Sequence, residues 1–217
     1  MTDKLTINKQ CTPVQYLCRK DKHLAKLIDM VGEIECRTQP DCFARLVYSI
    51  INQMLSNKAA HVIGERVVSL CNGSITPENL LKLNREQLRG SGLSYAKADN
   101  IIGLAKAAAD GSLDFSRFPN MTDEEVMKEL TRLRGIGDWS AKMFLIFTLN
   151  RLDVLPFEDV AFLQTYAWLY KTEDLRPAAI IKKCKKWKPY SSIAARYFYY
   201  ALDMGLTKQE FHLRKQN

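Results

Sequence analysis

Hydrophobic residues recur at helical spacing along nearly the whole chain, and this constrains the fold more than any other feature. Apolar residues lie three or four positions apart from Phe43 to Met54, and again from Val62 to Leu70 after the polar break SNK. This is the spacing of neighbours on one face of an α-helix. No stretch alternates convincingly with period two, as a half-buried strand would. The sequence therefore predicts an all-α fold.

The helical pattern is interrupted within TRLRGIGDWSAK, residues 131–142. The pattern predicts a helix ending at Leu133 and a second helix capped by Asp138, which together form a helix-hairpin-helix. Glycine permits a tight reversal and lets the backbone approach another molecule closely, while the isoleucine can anchor the turn to the core. We expect three residues of the turn to lie against a bound partner: Gly135, Ile136 and Gly137.

Backbone N–H groups at such a turn and at the following helix N-terminus form a partially positive concave site that suits a phosphate oxygen. Contacts of this kind position a protein on nucleic acid without reading its sequence. An ordinary helix-to-helix turn, which needs glycine for steric reasons alone, is the alternative interpretation.

The charge balance agrees with a polyanionic partner. The chain has 32 Lys and Arg against 24 Asp and Glu, a formal net charge of +8. Such an excess favours nucleic acid or an anionic membrane, although a merely soluble basic protein has the same balance. No apolar run is long enough to span a bilayer, and the polar start MTDKLTINKQ does not fit a secretory signal. We expect a monomer located in the cytoplasm, at the nucleoid of a bacterium or in the nucleus of a eukaryote.

Five motifs follow one another along the chain: YSIINQMLSNKAA, GLSYAKADNI, LRGIGDWSAKMF, DVLPFEDVAF and WKPYSSIAARYF. In this order they resemble the helix-hairpin-helix DNA glycosylase superfamily (HhH-GPD), and within it the DNA-3-methyladenine glycosylase II type. Five ordered motifs are a far more specific signal than any one alone. The resemblance implies a base-excision repair enzyme that binds double-stranded DNA with a damaged base. It also implies two helical subdomains with the active-site cleft between them.

The resemblance divides the chain into three parts. Residues 1–40 are expected to be an N-terminal helical segment that packs with the C-terminal part. Residues 41–150 are expected to form a six-helix barrel-like domain, which contains the helix-hairpin-helix at 131–149. Residues 151–217 are expected to hold the catalytic aspartate and a C-terminal helical part.

The resemblance assigns the catalytic role to Asp159, in the sequence Pro156-Phe157-Glu158-Asp159. Cleavage of an N-glycosidic bond passes through an oxocarbenium-like sugar. A nearby carboxylate can stabilise that charge and orient or deprotonate the attacking water. From the residues alone, a simple N-cap is the favoured interpretation of Asp159, because aspartate after proline is common at helix starts.

Trp139 stands where bifunctional members of the superfamily have a lysine that forms a Schiff base with the sugar. The resemblance therefore implies a monofunctional enzyme that uses water, with Trp139 in the base pocket. An electron-rich indole can hold an alkylated purine by stacking and cation–π attraction, worth roughly 0.5 to 2 kcal/mol. A core tryptophan that supports the hairpin is the alternative.

The remaining candidates for DNA contact are Gln53, Met54, Ser56, Leu93, Lys97 and Lys142. Flipping a base out of the duplex leaves a gap, and an apolar side chain can prop the base step open. Met54 is the first candidate for this wedge and Leu93 the second, while Lys97 could meet a phosphate. Met54 could instead continue the apolar face of its helix.

No cofactor is expected. Relatives with an iron–sulfur cluster carry four C-terminal cysteines, but this chain has only Cys184 after residue 150. The other five cysteines lack the paired close spacing of a zinc or iron–sulfur site, and we expect six free, buried thiols and no metal. A monovalent cation could be held by backbone carbonyls of the hairpin, as the family implies. Two further functions stay open, namely a glycosylase for another damaged or mismatched base and a non-catalytic helix-hairpin-helix DNA-binding module.

Overall fold

The computed structural model describes residues 4–37 and 41–213, which are predominantly helical. Two strands, β1 (Lys4–Ile7) and β2 (Ile34–Arg37), flank the first two helices. The helices are α1 (Thr12–Lys20), α2 (Lys22–Val31), α3 (Cys42–Asn52), α4 (Asn57–Leu70), α5 (Pro77–Leu81), α6 (Arg85–Gly90), α7 (Tyr95–Ala109), α8 (Asp123–Thr131), α9 (Asp138–Phe147), α10 (Val160–Tyr170), α11 (Pro177–Cys184) and α12 (Ser191–Asp203). Short 3-10 helices cover Phe115–Asn120, Lys185–Trp187 and Leu206–Lys208.

The all-α class is confirmed, but the prediction that no segment forms a strand is wrong. β1 pairs antiparallel with β2, and Ile7 lies opposite Ile34. Ile34 and Cys36 are buried while Glu35 between them is exposed, so the alternation is present in β2. It extends over only four residues, which is too short to separate a strand from a turn by periodicity. The N-terminal segment therefore combines two helices with a small two-stranded antiparallel sheet.

Local capping signals place several helix starts correctly. Thr122 and Glu125 form a capping box at the start of α8, and Asn84 with Gln87 does the same for α6. Ser94 accepts a hydrogen bond from the Lys97 backbone N–H at the start of α7. These side chains supply partners for N–H groups that the first helical turn cannot satisfy.

The chain divides into two compact units, residues 1–38 with 150–217, and residues 39–149. In the first unit α12 packs against α2 and α10. Its core contains a cluster of rings, in which Phe162 lies 5.0 Å from Phe198 and 6.3 Å from Trp187 between ring centroids. Trp187 and Tyr197 are fully buried in this core.

In the second unit α7 packs against α3, α5 and α6, and α9 packs against α3 and α8. Phe118 and Phe144 meet edge to face in its core, with ring centroids 5.9 Å apart. Helices α3, α7 and α9 thus surround the turn between α8 and α9. Among the described helices, none is both long and apolar enough to cross a membrane.

Candidate functional site

The turn between α8 and α9 depends on Gly135. Its φ of +85° lies in the left-handed region, which side chains other than glycine rarely adopt. A Cβ atom at this position would lie 2.2 Å from Nδ2 of Asn100 on α7. The adjacent Ile136 is buried, as predicted for an anchor, and its N–H donates to the Leu133 carbonyl at 3.1 Å. Gly135 is therefore fixed both by backbone conformation and by the packing of α7.

Gly137 has a different role. It is the N-cap residue of α9, with φ −99° and ψ 179°, and a Cβ atom there would meet nothing within 4 Å. The prediction that Asp138 caps this helix is wrong, because Asp138 is the first helical residue. Its carboxylate lies in the first turn, where negative charge is favoured by the helix dipole. The space beside Gly137 leaves the backbone of the turn open to an approaching group.

The loop after α3 displays Met54. This side chain is fully exposed, and its φ of +55° is left-handed. Met54 therefore does not continue the apolar face of α3, which ends at Asn52. Ser56, two residues on, is the N-cap of α4 and accepts a hydrogen bond from the Ala59 N–H at 3.3 Å. Gln53 points to the hairpin, with Nε2 donating to the Gly135 carbonyl at 2.7 Å.

The structure does not support the second wedge candidate or the proposed phosphate contact of Lys97. Leu93 is 1% exposed and belongs to the core, so it cannot enter a base step without unpacking. The ammonium group of Lys97 donates to the carbonyls of Ile51 at 2.8 Å and Gln53 at 2.6 Å. These contacts could not be seen in the sequence, because sequence spacing does not show which long-range partner a loop residue has. Lys142 is half-buried on α9, and its contact with DNA stays a prediction.

Trp139 lies in the first turn of α9 and is 42% exposed. A tryptophan that only fills the core would be more deeply buried. It lines a cavity of about 300 Å³ between α3 and α9. The other lining residues are Arg45, Tyr48, Ser49, Asn52, Ser140, Met143, Phe144, Phe147 and Thr148. A cavity of this size with aromatic walls and a few polar groups is typical of a small-ligand site.

Asp159 is the N-cap of α10 and is 8% exposed. Its Oδ1 accepts a hydrogen bond from the Phe162 N–H at 2.8 Å, as expected for a cap. Its carboxylate also accepts a hydrogen bond from the Tyr199 hydroxyl. Burial raises the pKa of Tyr199 far above its usual range, and the charge of Asp159 raises it further. The carboxylate is thus held in one position by the start of α10 and by α12.

Sequence reasoning missed two residues that shape these sites, Tyr199 and Asn100. Tyr199 lies 40 positions after Asp159, and Asn100 lies 35 positions before Gly135. Asn100 lies within the motif GLSYAKADNI, but no local pattern assigns a role to either residue, because each acts through a partner that is distant in sequence.

The basic run KKCKKWK, residues 182–188, makes contacts within its own unit. Lys186 Nζ lies 2.9 Å from Oδ2 of the buried Asp21, and Lys183 Nζ lies 4.7 Å from the Tyr170 ring centroid. Lys188 lies 3.6 Å from the Asp153 carboxylate. Three lysines of this run, Lys183, Lys186 and Lys188, therefore already make contacts within the protein.

All six cysteines are free. Cys36, Cys71 and Cys184 are buried, and the other three are half-buried, so the prediction of buried thiols is right for half of them. Within the described ranges, no group of three or more His, Cys, Asp or Glu side chains could hold a metal ion.

Comparison with known proteins identifies the family. The model of the HhH-GPD superfamily of base excision DNA repair proteins matches residues 47–189, which include the hairpin, Trp139 and Asp159. The chain belongs to this superfamily. Its predicted membership is therefore confirmed.

HhH-GPD relatives match nearly the full length of the chain. DNA-3-methyladenine glycosylase 1 of Schizosaccharomyces pombe is 28% identical over 191 residues, which cover 85% of this chain and 84% of the relative. The crystal structure of a DNA-3-methyladenine glycosidase from Bacillus halodurans is 33% identical and superposes with a TM-score of 0.86, covering 96% of this chain and 97% of that one. The Schizosaccharomyces pombe 3-methyladenine DNA glycosylase in complex with abasic DNA is 27% identical, with a TM-score of 0.78 over 89% of this chain and 97% of that chain.

Proposed function

We propose that this HhH-GPD protein is a monofunctional DNA glycosylase that removes alkylated purines, of the 3-methyladenine and 7-methylguanine type, from duplex DNA. The observation that carries the proposal is the Asp159 carboxylate, which is nearly buried and held by hydrogen bonds from the Phe162 N–H and the Tyr199 hydroxyl. The names of the relatives support the substrate class.

Binding starts at the hairpin. The open backbone at Gly137 and the N–H groups of the first turn of α9 receive a phosphate oxygen of the damaged strand. Met54 enters the stack from the adjacent loop and fills the space that the extruded base leaves. The extrusion costs a few kcal/mol and costs least at a damaged pair.

The cavity beside Trp139 receives the base. Stacking on an aromatic side chain is worth about 1 to 3 kcal/mol per base, and a cationic ring gains from the electron-rich indole as well. Purines alkylated at N3 or N7 carry a positive charge, so they are held by the same wall and are good leaving groups. Selectivity can thus come from the weakened glycosidic bond as much as from the shape of the cavity.

The reaction is hydrolysis. The electron pair of the C1′–N bond moves to the departing base, and the sugar develops positive charge that Asp159 stabilises. Water adds its oxygen to C1′ and gives one proton to the carboxylate. The product is an abasic site. Trp139 has no amine to form a Schiff base, and the mechanism calls for no cofactor. The protein acts as a monomer in this scheme, since one chain carries every group named.

The test is release of bases from methylated duplex DNA. The wild type is expected to free 3-methyladenine and 7-methylguanine, identified by mass spectrometry. Asp159→Asn is the matched variant, because asparagine is as good an N-cap as aspartate and preserves the start of α10. If the wild type frees neither base but releases another damaged base, the enzyme class stands and the substrate class is wrong. If it only binds DNA, the protein is a binding module.

A further inference from the structure

The conformation of Met54 needs support from its surroundings. A bulky residue with φ of +55° is strained, and such strain persists only where neighbouring contacts impose it. The side chain itself is fully exposed and contributes no packing within the protein. The contacts that hold this loop must therefore come from the backbone on either side of Met54.

Lys97 supplies the contacts on one side. From the first turn of α7 its ammonium group reaches the carbonyls of Ile51 and Gln53, at 2.8 and 2.6 Å. The last carbonyls of a helix lack partners within that helix, and a cation is favoured at this end of the dipole. Burial lowers the pKa of Lys97, because the charged ammonium group is partly removed from water. Lys97 thus caps α3 at the point where the loop begins.

Gln53 connects the loop to the hairpin. Its Nε2 donates to the Gly135 carbonyl at 2.7 Å and lies 3.5 Å from the Ser140 hydroxyl on α9. Asn100, one turn after Lys97 on α7, packs against the other side of Gly135. One helix therefore contacts both the loop of the wedge and the turn proposed to bind phosphate.

We propose that Lys97 and Gln53 are positioning residues that join the Met54 loop to the Gly135 turn, so that the wedge and the phosphate-binding turn meet DNA as one rigid unit. The proposal rests on the function proposed above. Because the linkage is rigid, the loop is already ordered in the folded protein. Binding to DNA therefore loses no further conformational entropy in this loop. The linkage also means that contact of the hairpin with a phosphate sets where Met54 enters the stack.

A double-mutant cycle tests this linkage. The measurement is single-turnover excision of a paired 7-methylguanine from duplex DNA by the wild type, Lys97→Met, Met54→Ala and the double variant. Methionine keeps the apolar stem of Lys97 and removes the ammonium group. Lys106→Met is the matched control, since Lys106 is exposed on the same helix. Thermal unfolding of each variant shows whether it is folded.

Lys97→Met is expected to slow excision about tenfold, as for the loss of a charged hydrogen bond. Met54→Ala should cost about tenfold in the wild type and less than about twofold in Lys97→Met, because the wedge is already misplaced. Lys106→Met should stay within about twofold of the wild type. A role of Lys97 in stability alone would not produce this non-additivity.

Two results would overturn the inference while leaving the glycosylase assignment intact. The effects of Lys97→Met and Met54→Ala could multiply, or Lys97→Met could behave like Lys106→Met. If Lys97→Met does not fold, Gln53→Ala takes its place in the same cycle, with the same expected non-additivity. It removes the side-chain contacts to Gly135 and Ser140 and keeps the backbone carbonyl that Lys97 contacts. A wild type that excises nothing would overturn both proposals.

Discussion

The hydroxyl of Tyr199 on α12 donates a hydrogen bond to the carboxylate of Asp159 at the start of α10. The same carboxylate accepts the Phe162 N–H, so two elements far apart in sequence fix its orientation. In a site where charge develops on a sugar, a carboxylate that is already oriented needs no reorganisation during the reaction. The role of Asp159 as a helix cap is therefore compatible with the catalytic role proposed for it.

Replacing Tyr199 with phenylalanine should slow base excision about tenfold, because one hydrogen bond to a charged group is lost while the ring is retained. Single-turnover kinetics measure the effect. Tyr200→Phe is the control, as its hydroxyl donates to the Glu35 carbonyl in the same unit. Equal rates for Tyr199→Phe and the wild type would show that the hydrogen bond does not serve catalysis.

Trp139→Ala should weaken excision of a cationic base by about tenfold or more, the worth of one aromatic stacking contact, whereas Trp139→Phe should retain most of the activity. The measurement compares 7-methylguanine release by the two variants. If alanine and phenylalanine have the same effect, the indole does not stack on the base.

The two glycines of the hairpin should respond differently to alanine. Gly135→Ala forces a side chain into the left-handed region and against Asn100, so it should lower the free energy of unfolding by about 1 to 3 kcal/mol. Gly137→Ala has space and an ordinary φ, so it should lose only the N-cap preference of glycine over alanine, a smaller loss of stability than in Gly135→Ala, and should weaken binding to DNA. Urea unfolding and affinity for an abasic duplex separate the two. Equal loss of stability in both variants would contradict this assignment.

Asp21 should make stability depend on pH. Burial raises the pKa of this carboxyl, but hydrogen bonds from Tyr170, Lys186 and Trp187 outweigh burial and lower it overall. A lowered pKa in the folded state adds stability above the unfolded pKa of about 3.9, and this is lost as pH falls. Asp21→Asn, which keeps the N-cap of α2, should cost about 1.5 to 3 kcal/mol at neutral pH.

The cost of Asp21→Asn in urea unfolding should begin to shrink below about pH 4, where the unfolded chain takes up a proton at Asp21, and should vanish only below the lowered pKa of the folded state. Asp174→Asn is the control, because Asp174 pairs with Arg176 in an exposed ion pair that contributes little to stability. A penalty that stays constant down to acid pH would mean that the charge of Asp21 does not stabilise the fold.

The sequence predicted the elements whose causes are local. Thr122 with Glu125 and Ser94 each act within one helical turn, so their capping roles could be inferred from spacing. Gly135 and Ile136 were likewise identified from the turn itself. The sequence pattern placed the N-cap of α9 one residue too late, at Asp138. Aspartate is a stronger N-cap signal than glycine, which occupies the true N-cap at position 137.

The contacts that complete the candidate site could not be predicted in this way. Lys97 donates to the carbonyls of Gln53 and Ile51, which are 44 and 46 residues away in sequence. Gln53 donates to the carbonyl of Gly135, which is 82 residues away. Leu93 looked accessible in a loop but is buried by the packing of helices around it. These contacts and the burial of Leu93 depend on how the helices pack, which the local pattern of a single sequence does not show.

The most direct test follows excision from a duplex with a single 7-methylguanine by the wild type and Asp159→Asn under single-turnover conditions. Two parallel reactions are run, one without borohydride for alkali cleavage and one with borohydride to trap any protein–DNA adduct. The wild type should release the base, leave an alkali-labile abasic site in an intact strand, and form no covalent protein–DNA adduct. Asp159→Asn should be slower by about 10² or more. An equally fast Asp159→Asn, or a trapped adduct with the wild type, would contradict hydrolysis by water under the control of Asp159.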